Sequence, residues 1–180
     1  TLMNQDTVER AKRAAGQKAA SFIEPGMTVG LGTGSTAKHF IEALAIRFRA
    51  GLSFRCAATS AASEQLAASL NLPLVPIASI DCFDIDVDGA DQIDQKKNMI
   101  KGGGGALLRE KIIAASSKEM IVLVDPSKKV RRLGGIALPV EILPFGSNLT
   151  IRRIESLGFK GTIRQKGDTV FITDNGNFIF

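Results

Sequence analysis

A chain of 180 residues that is 44% hydrophobic and carries a formal net charge of +5 has the size of one domain, or of one domain with a small lobe. No apolar run approaches the ~20 residues of a membrane-spanning helix, and the first residues, TLMNQDTVERAKR, contain no apolar signal core. Lysines and arginines are spread along the chain, and the absence of Trp and Tyr leaves few stacking side chains for a nucleic acid. We therefore expect a cytoplasmic protein that binds neither membrane nor nucleic acid, with a mildly basic surface suited to a small anion.

The only two cysteines, Cys56 and Cys82, both lie in apolar stretches of the sequence. Two cysteines are too few for the disulfide framework of a small secreted domain. We expect both side chains to be buried free thiols in a reducing compartment.

Helical and strand-like patterns alternate over the first two thirds of the chain. The predicted helices cover 6–24, 37–50, 61–70 and 106–116, and the predicted strands cover 27–31, 53–58, 74–77, 83–87 and 120–124. Asp6 is placed to cap the first helix, and Pro25 and Gly26 end it. This alternation predicts an α/β fold with a doubly wound, mostly parallel, Rossmann-like sheet and helices on both faces.

The pattern changes after Arg132. A helix is predicted over 148–157, strands over 160–165 and 169–172, and a turn over 174–177. The sequence therefore predicts an α/β catalytic domain at 1–132, which holds the candidate motifs, and a small α+β lobe at 133–180.

A glycine-rich loop, Gly30-Leu31-Gly32-Thr33-Gly34-Ser35-Thr36, joins a predicted strand to a predicted helix. It is not a dinucleotide fingerprint, because Ser35 occupies the third glycine position and no acid ends the strand over 53–58. It also lacks the Gly-Lys-Ser/Thr of a Walker loop. Two hydroxyls and free amides at a helix start indicate a cradle for phosphate or carboxylate, and a tight turn without a ligand remains the alternative.

The richest stretch is DGADQIDQKKNMIKGGGGALLRE, residues 88–110, which follows an apolar strand. It combines the carboxylates Asp88 and Asp91 with Lys101 and the four glycines 102–105. Each glycine lowers the free energy of unfolding by roughly 0.5–1 kcal/mol relative to alanine, because it loses more chain entropy on folding. Four consecutive glycines are therefore expected where the backbone must approach an anion closely. Residues of these types beyond a strand end indicate a ligand site.

Three interpretations of the carboxylates remain open at this point. Two close carboxylates suit acid–base work because each raises the proton affinity of the other, but an aspartate-rich turn or a Mg²⁺ site would contain them too. Lys101 favours an organic anion over a metal ion. The single histidine, His39, lies on a predicted helix, where packing is the favoured role. Without a Cys/His cluster, neither zinc nor a histidine triad is expected.

Five motifs together resemble the type A ribose-5-phosphate isomerases. They are GLGTGST (30–36), VDGAD (87–91), IKGGGGALLREKII (100–113), VDPSK (124–128) and LPVEILP (138–144). They occur in the family's order, and the resemblance extends over nearly the whole chain from Asp6 to Phe180. It implies an aldose–ketose isomerase that interconverts ribose 5-phosphate and ribulose 5-phosphate through an enediolate, without metal or cofactor, as a homodimer or homotetramer.

The resemblance also implies a role for each matching residue. Glu110 would be the base that moves the proton between C1 and C2, Asp88 and Lys101 would aid ring opening, and Asp91 is counted with them as catalytic. The residues implied in holding the sugar are Asp88, Gly89, Ala90, Asp91, Lys101, Gly102, Gly103 and Gly104. Those implied in the substrate and phosphate site are Thr33, Gly34, Ser35, Thr36, Lys128 and Lys12. The residue types alone support the same three roles. The glycine-rich loop would bind the phosphate, Glu110 would act as the base, and Lys101 with the amides of 102–105 would stabilise the developing oxyanion.

Two departures from the family pattern stand out. Gln92 replaces the usual Glu after DGAD, at a position with no catalytic role. Family members continue for several tens of residues past Phe180, so we expect this chain to be a shortened version of a longer gene product. Two other functions fit the fold class: a non-enzymatic sugar-phosphate sensor, which would not need all four catalytic residues, and a coenzyme A transferase, whose glutamate forms a thioester.

Overall fold

The computed structural model describes residues 5–180. Its helices are α1 (Gln5–Ala20), α2 (Ser35–Arg49), α3 (Ala61–Ser69), α4 (Leu107–Ala115) and α5 (Ser147–Ser156). Its strands are β1 (Thr28–Leu31), β2 (Arg55–Ala58), β3 (Phe83–Gly89), β4 (Gln92–Ile93), β5 (Met99–Ile100), β6 (Ser117–Leu123), β7 (Glu141–Ile142), β8 (Gln165–Lys166), β9 (Thr169–Val170) and β10 (Phe178–Ile179). No helix in this part of the chain is long and apolar enough to cross a membrane.

A four-stranded parallel sheet with the order β2-β1-β3-β6 forms the centre of the molecule. In its register, Gly30 of β1 lies opposite Ala57 of β2 and Asp86 of β3. Each parallel pair is joined through a helix, which confirms the predicted α/β fold with a parallel sheet.

The two faces of the sheet are covered by different helices. Val29 and Val87 belong to the main core, together with Phe40 of α2. That core also contains residues of α1 and α3, and each fully buried large side chain in it contributes about 1.5–3 kcal/mol. On the other face, Ile113 of α4 packs with Ala57 of β2 in a smaller cluster, and a Cβ atom on Gly30 of β1 would meet both Ile113 and Asp86 of β3. Because side chains alternate along a strand, β1 and β3 serve both layers, as predicted for a doubly wound sheet.

The first helix ends earlier than the sequence pattern predicts. The α-helical residues stop at Ala20, and the chain turns through Ser21 and Phe22 before Pro25. Arg47 of α2 donates from Nη1 to the carbonyl oxygens of Ala20 and, at 2.7 Å, of Ile23. The Arg47 side chain thus satisfies the last carbonyl of α1 and one carbonyl of the segment that follows it. Asp6 lies within α1 rather than before it, so its predicted capping role is wrong.

Two further predictions are wrong in their details. Residues 74–77 form a single bridge from Leu74 to Cys56 and then a 3-10 turn, because the nearby Pro73 and Pro76 have no amide hydrogen to extend a ladder. Cys56 is buried as expected, and its pKa is raised to about 12 by burial. Cys82, in contrast, is an exposed free thiol, because it lies in the loop that precedes β3.

The residues after 132 form α5 and short antiparallel pairs. β10 pairs with β7, and β8 with β9, so that the predicted strands over 160–165 and 169–172 shrink to two residues each. Glu141 of β7 connects this part to the rest: its Oε2 accepts from the amide of Leu108 at 3.1 Å, and its Oε1 from Asn177 Nδ2 at 2.9 Å. Glu141 therefore holds the start of α4. The domain boundary near residue 132 stays a prediction.

Candidate active site

A cleft lies at the carboxyl ends of β1 and β3. From β1 the chain leads to β2 on one side of the sheet, and from β3 it leads to β6 on the other, so this is the point where strand order reverses. Open α/β sheets bind their ligands at such a point. The cleft has a volume of about 90 Å³. It is lined by Thr33, Gly34, Gly89, Ala90, Asp91, Lys101, Gly102, Gly103, Gly104, Glu110 and Lys128.

Asp88 forms the floor beneath this cleft and is fully buried. Its Oδ1 accepts from the amides of Thr33, at 2.9 Å, and Gly89, at 2.7 Å. A Cβ atom on Gly32 would overlap the Asp88 carboxylate, so the strand opposite can approach only because residue 32 is glycine. The glycine-rich loop is therefore shaped as much by Asp88 as by any ligand.

Lys101 joins Asp88 to Glu110. Its Nζ lies 3.0 Å from Asp88 Oδ2 and 3.4 Å from Glu110 Oε2, and it also donates to the carbonyl oxygen of Gly89. Burial lowers the pKa of Lys101, but the charges of Asp88 and Glu110 outweigh it and the pKa is raised overall. Lys101 is thus held as a cation between two carboxylates.

Glu110 lies in the first turn of α4 and is 5% exposed. Burial raises its pKa, the charge of Asp88 raises it further, and Lys101 opposes both, with a resulting pKa of about 7. A carboxylate with a pKa near neutrality can both take and return a proton, as a general acid–base catalyst must.

Asp91 lines the cleft but does not share Lys101 with Asp88, and its predicted catalytic role stays a prediction. Its Oδ2 accepts from the amide of Gly103 at 2.8 Å. The carboxylates that share Lys101 are therefore Asp88 and Glu110, while Asp91 fixes the glycine loop. The amide of Gly105 donates to the carbonyl oxygen of Gly102, so not all four predicted glycine amides are available to a substrate oxyanion. The amides of Gly102 and Gly104 are the remaining candidates.

The glycine-rich loop is supported by a hydroxyl that the sequence analysis missed. Thr59, fully buried just after β2, lies with its Oγ1 2.7 Å from Thr33 Oγ1 and donates to the carbonyl oxygen of Leu31 at 3.1 Å. Its position at the end of a strand next to β1 was the available signal. Gly34, with φ 105°, precedes α2 and supplies no side-chain cap. The amides at the start of α2, next to the exposed Ser35 and the half-buried Thr36, can therefore face an anion.

The three more distant basic candidates are placed differently. Lys128, half-buried after β6, lines the cleft. Lys12 lies on α1 with its Nζ 2.7 Å from Glu9 Oε1, and it is not among the residues that line the cleft, so its role in phosphate binding stays a prediction. His39 packs between Glu9 and Glu42 on the α1–α2 surface, outside that lining.

Hydrogen-bond donors, rather than positions open to a cation, surround the carboxylates of the cleft. Both oxygens of Asp88 are engaged, and in the described part of the chain no group of three His, Cys, Asp or Glu residues could hold a metal ion. We expect activity to survive incubation with EDTA, because the Lys101 ammonium supplies the positive charge. Turnover before and after chelation measures this, and loss with EDTA followed by recovery with Mg²⁺ would contradict it.

A larger groove of about 730 Å³ lies between residues 136–140, α5 and the chain end. Its lining is mainly apolar and contains no carboxylate, with Lys160 and Arg164 as its charged residues. Volume alone does not identify the site, because acid–base chemistry needs the titratable groups that the smaller cleft contains.

The fold and the cleft define an α/β enzyme that performs acid–base chemistry on a small anionic substrate. The model of the family described as ribose 5-phosphate isomerase A (phosphoriboisomerase A) matches residues 55–180. The chain belongs to this family of isomerases.

Individual relatives agree with this assignment. The chain is 51% identical over 168 residues to ribose-5-phosphate isomerase A of Bacillus cereus, which covers 93% of this chain and 76% of the relative. It is 47% identical over 173 residues to the Streptococcus pneumoniae enzyme, with 96% and 76% covered.

Solved structures share the fold as well. The structure of ribose 5-phosphate isomerase A from Methanocaldococcus jannaschii matches with a TM-score of 0.90 and 38% identity, over 95% of this chain and 78% of that one. A D-ribose-5-phosphate isomerase in complex with phospho-erythronic acid also matches with a TM-score of 0.90, at 37% identity, over 98% and 78%.

Proposed function

We propose that this protein interconverts D-ribose 5-phosphate and D-ribulose 5-phosphate through an enediolate, in the non-oxidative pentose phosphate pathway. The observation that carries the proposed mechanism is the placement of Glu110, buried at the start of α4 with its Oε2 3.4 Å from Lys101 Nζ. A relative that binds phospho-erythronic acid supports a phosphorylated sugar as the ligand.

The first step is the opening of the sugar ring. Lys101 lines the cleft and can donate a hydrogen bond to the ring oxygen, which takes up the proton of the C1 hydroxyl as the ring opens. Asp88, buried beneath the cleft with its Oδ2 3.0 Å from Lys101 Nζ, would aid this step by holding the ammonium group in place. The open chain exposes the C1 aldehyde, which activates the C2 hydrogen for removal.

Glu110 then takes the C2 proton. The C–H electron pair forms the C1–C2 double bond, and the C1 oxygen gains the negative charge that Lys101 and the amides of Gly102 and Gly104 are placed to stabilise. Glu110 returns the proton to C1, while the hydroxyl proton of O2 passes to O1 and the C2 carbonyl forms. A single carboxyl group with a pKa near 7 serves both directions.

The phosphate would be bound at the other end of the cleft, by the start of α2 and Lys128. We expect Lys128→Ala to raise KM for ribose 5-phosphate about tenfold or more and to lower kcat less, because the phosphate does not react. Steady-state kinetics of the purified protein measures both constants. Lys129→Ala, which removes an exposed lysine next in the chain, is the matched control, and an unchanged KM in Lys128→Ala would place the phosphate elsewhere.

The remaining features of the proposed function follow from the family resemblance. The reaction uses no cofactor and no metal ion, the partner is a small sugar phosphate, and the protein is a cytoplasmic homodimer or homotetramer. The direct test is formation of ribulose 5-phosphate from ribose 5-phosphate by the purified protein, with Glu110→Gln assayed beside it. If both proteins fail to form the product, the proposed reaction is wrong.

A further inference from the structure

A buried threonine contacts the glycine-rich loop and is not used by the proposed mechanism. Thr59 is fully buried and follows β2. Its amide and its Oγ1 both donate to the carbonyl oxygen of Leu31, at 2.9 Å and 3.1 Å, and its Oγ1 also lies 2.7 Å from Thr33 Oγ1. Thr59 does not line the cleft but Thr33 does, so an effect of the Thr59 hydroxyl on a substrate has to pass through Thr33.

The hydrogen bonds of this pair decide what the Thr33 hydroxyl can offer to a ligand. A threonine hydroxyl has one hydrogen to donate and two lone pairs that accept, whereas a carbonyl oxygen only accepts. The hydrogen between Thr59 Oγ1 and the Leu31 carbonyl therefore belongs to Thr59. The hydrogen between the two hydroxyls must then come from Thr33. Thr33 has no second hydrogen to donate, and only its oxygen lone pair is left for a ligand.

The position of Thr33 in the cleft is fixed from two further sides. Its amide donates to Asp88 Oδ1 at 2.9 Å, and a Cβ atom built on Gly104 would lie 3.6 Å from Thr33 Cγ2. In the described part of the chain, Thr33 Oγ1 has no hydrogen-bond partner other than Thr59. Its remaining lone pair is therefore available to a substrate in the cleft.

We infer that Thr59 is a positioning residue for the isomerase reaction, which holds the Thr33 hydroxyl as an acceptor and so directs it to a hydroxyl group of the sugar rather than to the phosphate. A phosphate ester is mostly a dianion at neutral pH, since its second pKa is about 6, and its oxygens then need donors. A sugar hydroxyl, in contrast, has a hydrogen to donate. The inference rests on the sugar-phosphate substrate proposed above.

Thr59→Val removes the hydroxyl and nearly keeps the shape of the side chain, and the backbone bond to Leu31 remains. The Thr33 hydroxyl then loses the acceptor of its hydrogen and is no longer held in one orientation. We expect KM for ribose 5-phosphate to rise about fivefold, as for the loss of one neutral hydrogen bond, and kcat to stay within about twofold of wild type, because the bond serves ground state and transition state alike. Thr59→Ser keeps the hydroxyl and should keep the wild-type KM, and Thr59→Ala replaces the Val variant if that protein does not fold.

Thr28→Val is the matched control. Thr28 is buried at the start of β1, and its Oγ1 accepts from Arg55 Nε at 2.8 Å. This variant also removes a buried, hydrogen-bonded hydroxyl, but at the end of the strand away from the cleft, and KM should not change. Lost stability alone would lower the folded fraction, and with it the apparent kcat, without a change in KM.

A double-mutant cycle separates action through Thr33 from general support of the loop. Thr33→Val removes the accepting oxygen and should raise KM at least as much as Thr59→Val does. In the Thr33→Val background, Thr59→Val should raise KM no further, because the oxygen through which Thr59 acts is absent. An equal further rise in that background would show that Thr59 acts independently of Thr33, and the inference would be wrong.

Inorganic phosphate is the probe for the direction of the Thr33 hydroxyl. Its inhibition constant against ribose 5-phosphate should keep the wild-type value in Thr59→Val and in Thr33→Val. If this constant rises as much as KM does, Thr33 binds the phosphate and the inference is overturned. A wild-type protein that forms no ribulose 5-phosphate refutes the proposed function and the inference with it, whereas wild-type turnover with an unchanged KM in folded Thr59→Val refutes the inference alone.

Discussion

Glu110→Gln is expected to lose at least about a hundredfold in kcat while it still binds ribose 5-phosphate, because general-base catalysis contributes about 10²–10⁴-fold. The substitution keeps the shape of the side chain and removes its ability to take a proton. Glu110 is 5% exposed in a cleft where water can hardly replace it as the base. The variant should also fail to exchange the C2 hydrogen of the substrate with D₂O.

The measurements are steady-state kinetics, substrate binding by calorimetry and NMR of the substrate in D₂O. Glu64→Gln is the matched control, since Glu64 is an acid in the first turn of another helix, α3, and is exposed. Exchange at the wild-type rate in Glu110→Gln would show that another group removes the proton.

In the wild-type protein, kcat/KM should fall tenfold per pH unit below about pH 7, because burial raises the pKa of Glu110 to about 7 and the protonated form cannot act as base.

Lys101→Met is expected to lower kcat/KM by about 10²–10³-fold, as does removal of one oxyanion-stabilising group from other enzymes. Two effects combine in this variant. The enediolate loses its nearest cation, and the buried carboxylates of Asp88 and Glu110 lose the charge that lies between them. Because Lys101 lowers the pKa of Glu110, that pKa should rise in the variant, and the acid limb should move to higher pH.

Kinetics from pH 6 to 10 separates these two effects, since raising the pH restores the ionised base but not the missing cation. Lys111→Met is the matched control, because Lys111 is exposed and lies on α4 outside the lining of the cleft. If Lys101→Met stays within about threefold of wild-type activity across this range, Lys101 does not stabilise the developing charge.

Local sequence patterns predicted most of the α/β fold. The strands β1 and β3 and the helices with clear spacing appear where expected, because their buried apolar residues, which alternate with aspartates in β3, leave a periodic pattern in the sequence. The two-residue pair β4–β5 was missed, since a pairing that short leaves no periodic pattern. The early end of α1 was missed, and the carbonyl oxygens of Ala20 and Ile23 at and after that end are hydrogen-bonded by Arg47, a residue from another helix that local patterns do not reveal.

The candidate site was predictable as a set of residues but not as a set of contacts. Motifs identified the residues that line the cleft, and Asp88, Lys101 and Glu110 do lie together. The sequence did not show that Asp91 binds Gly103 rather than sharing a proton with Asp88, because backbone direction after β3 decides that. Asp86 looked like an ordinary strand residue, since the burial of its carboxyl group, which has no hydrogen-bond partner within the described residues, depends on β1 and α4 covering it from two sides.

The close approach of Gly30 to Asp86 also affects how this sequence can change over evolutionary time. The two positions are far apart in the chain but opposite each other in the sheet, and the space holds either a Cβ atom at one or a carboxyl group at the other. A larger residue at position 30 therefore requires both a smaller residue at position 86 and a displaced Ile113 side chain, whose Cγ2 would lie 2.6 Å from the new Cβ atom. Gly32, one pleat closer to the cleft, is more restricted, because a Cβ atom there would lie 2.5 Å from the Cα atom of Asp88, which no change of side chain removes. Substitutions at positions 30 and 86 should therefore be fixed in a set order, so that the glycine-rich loop and β3 change together.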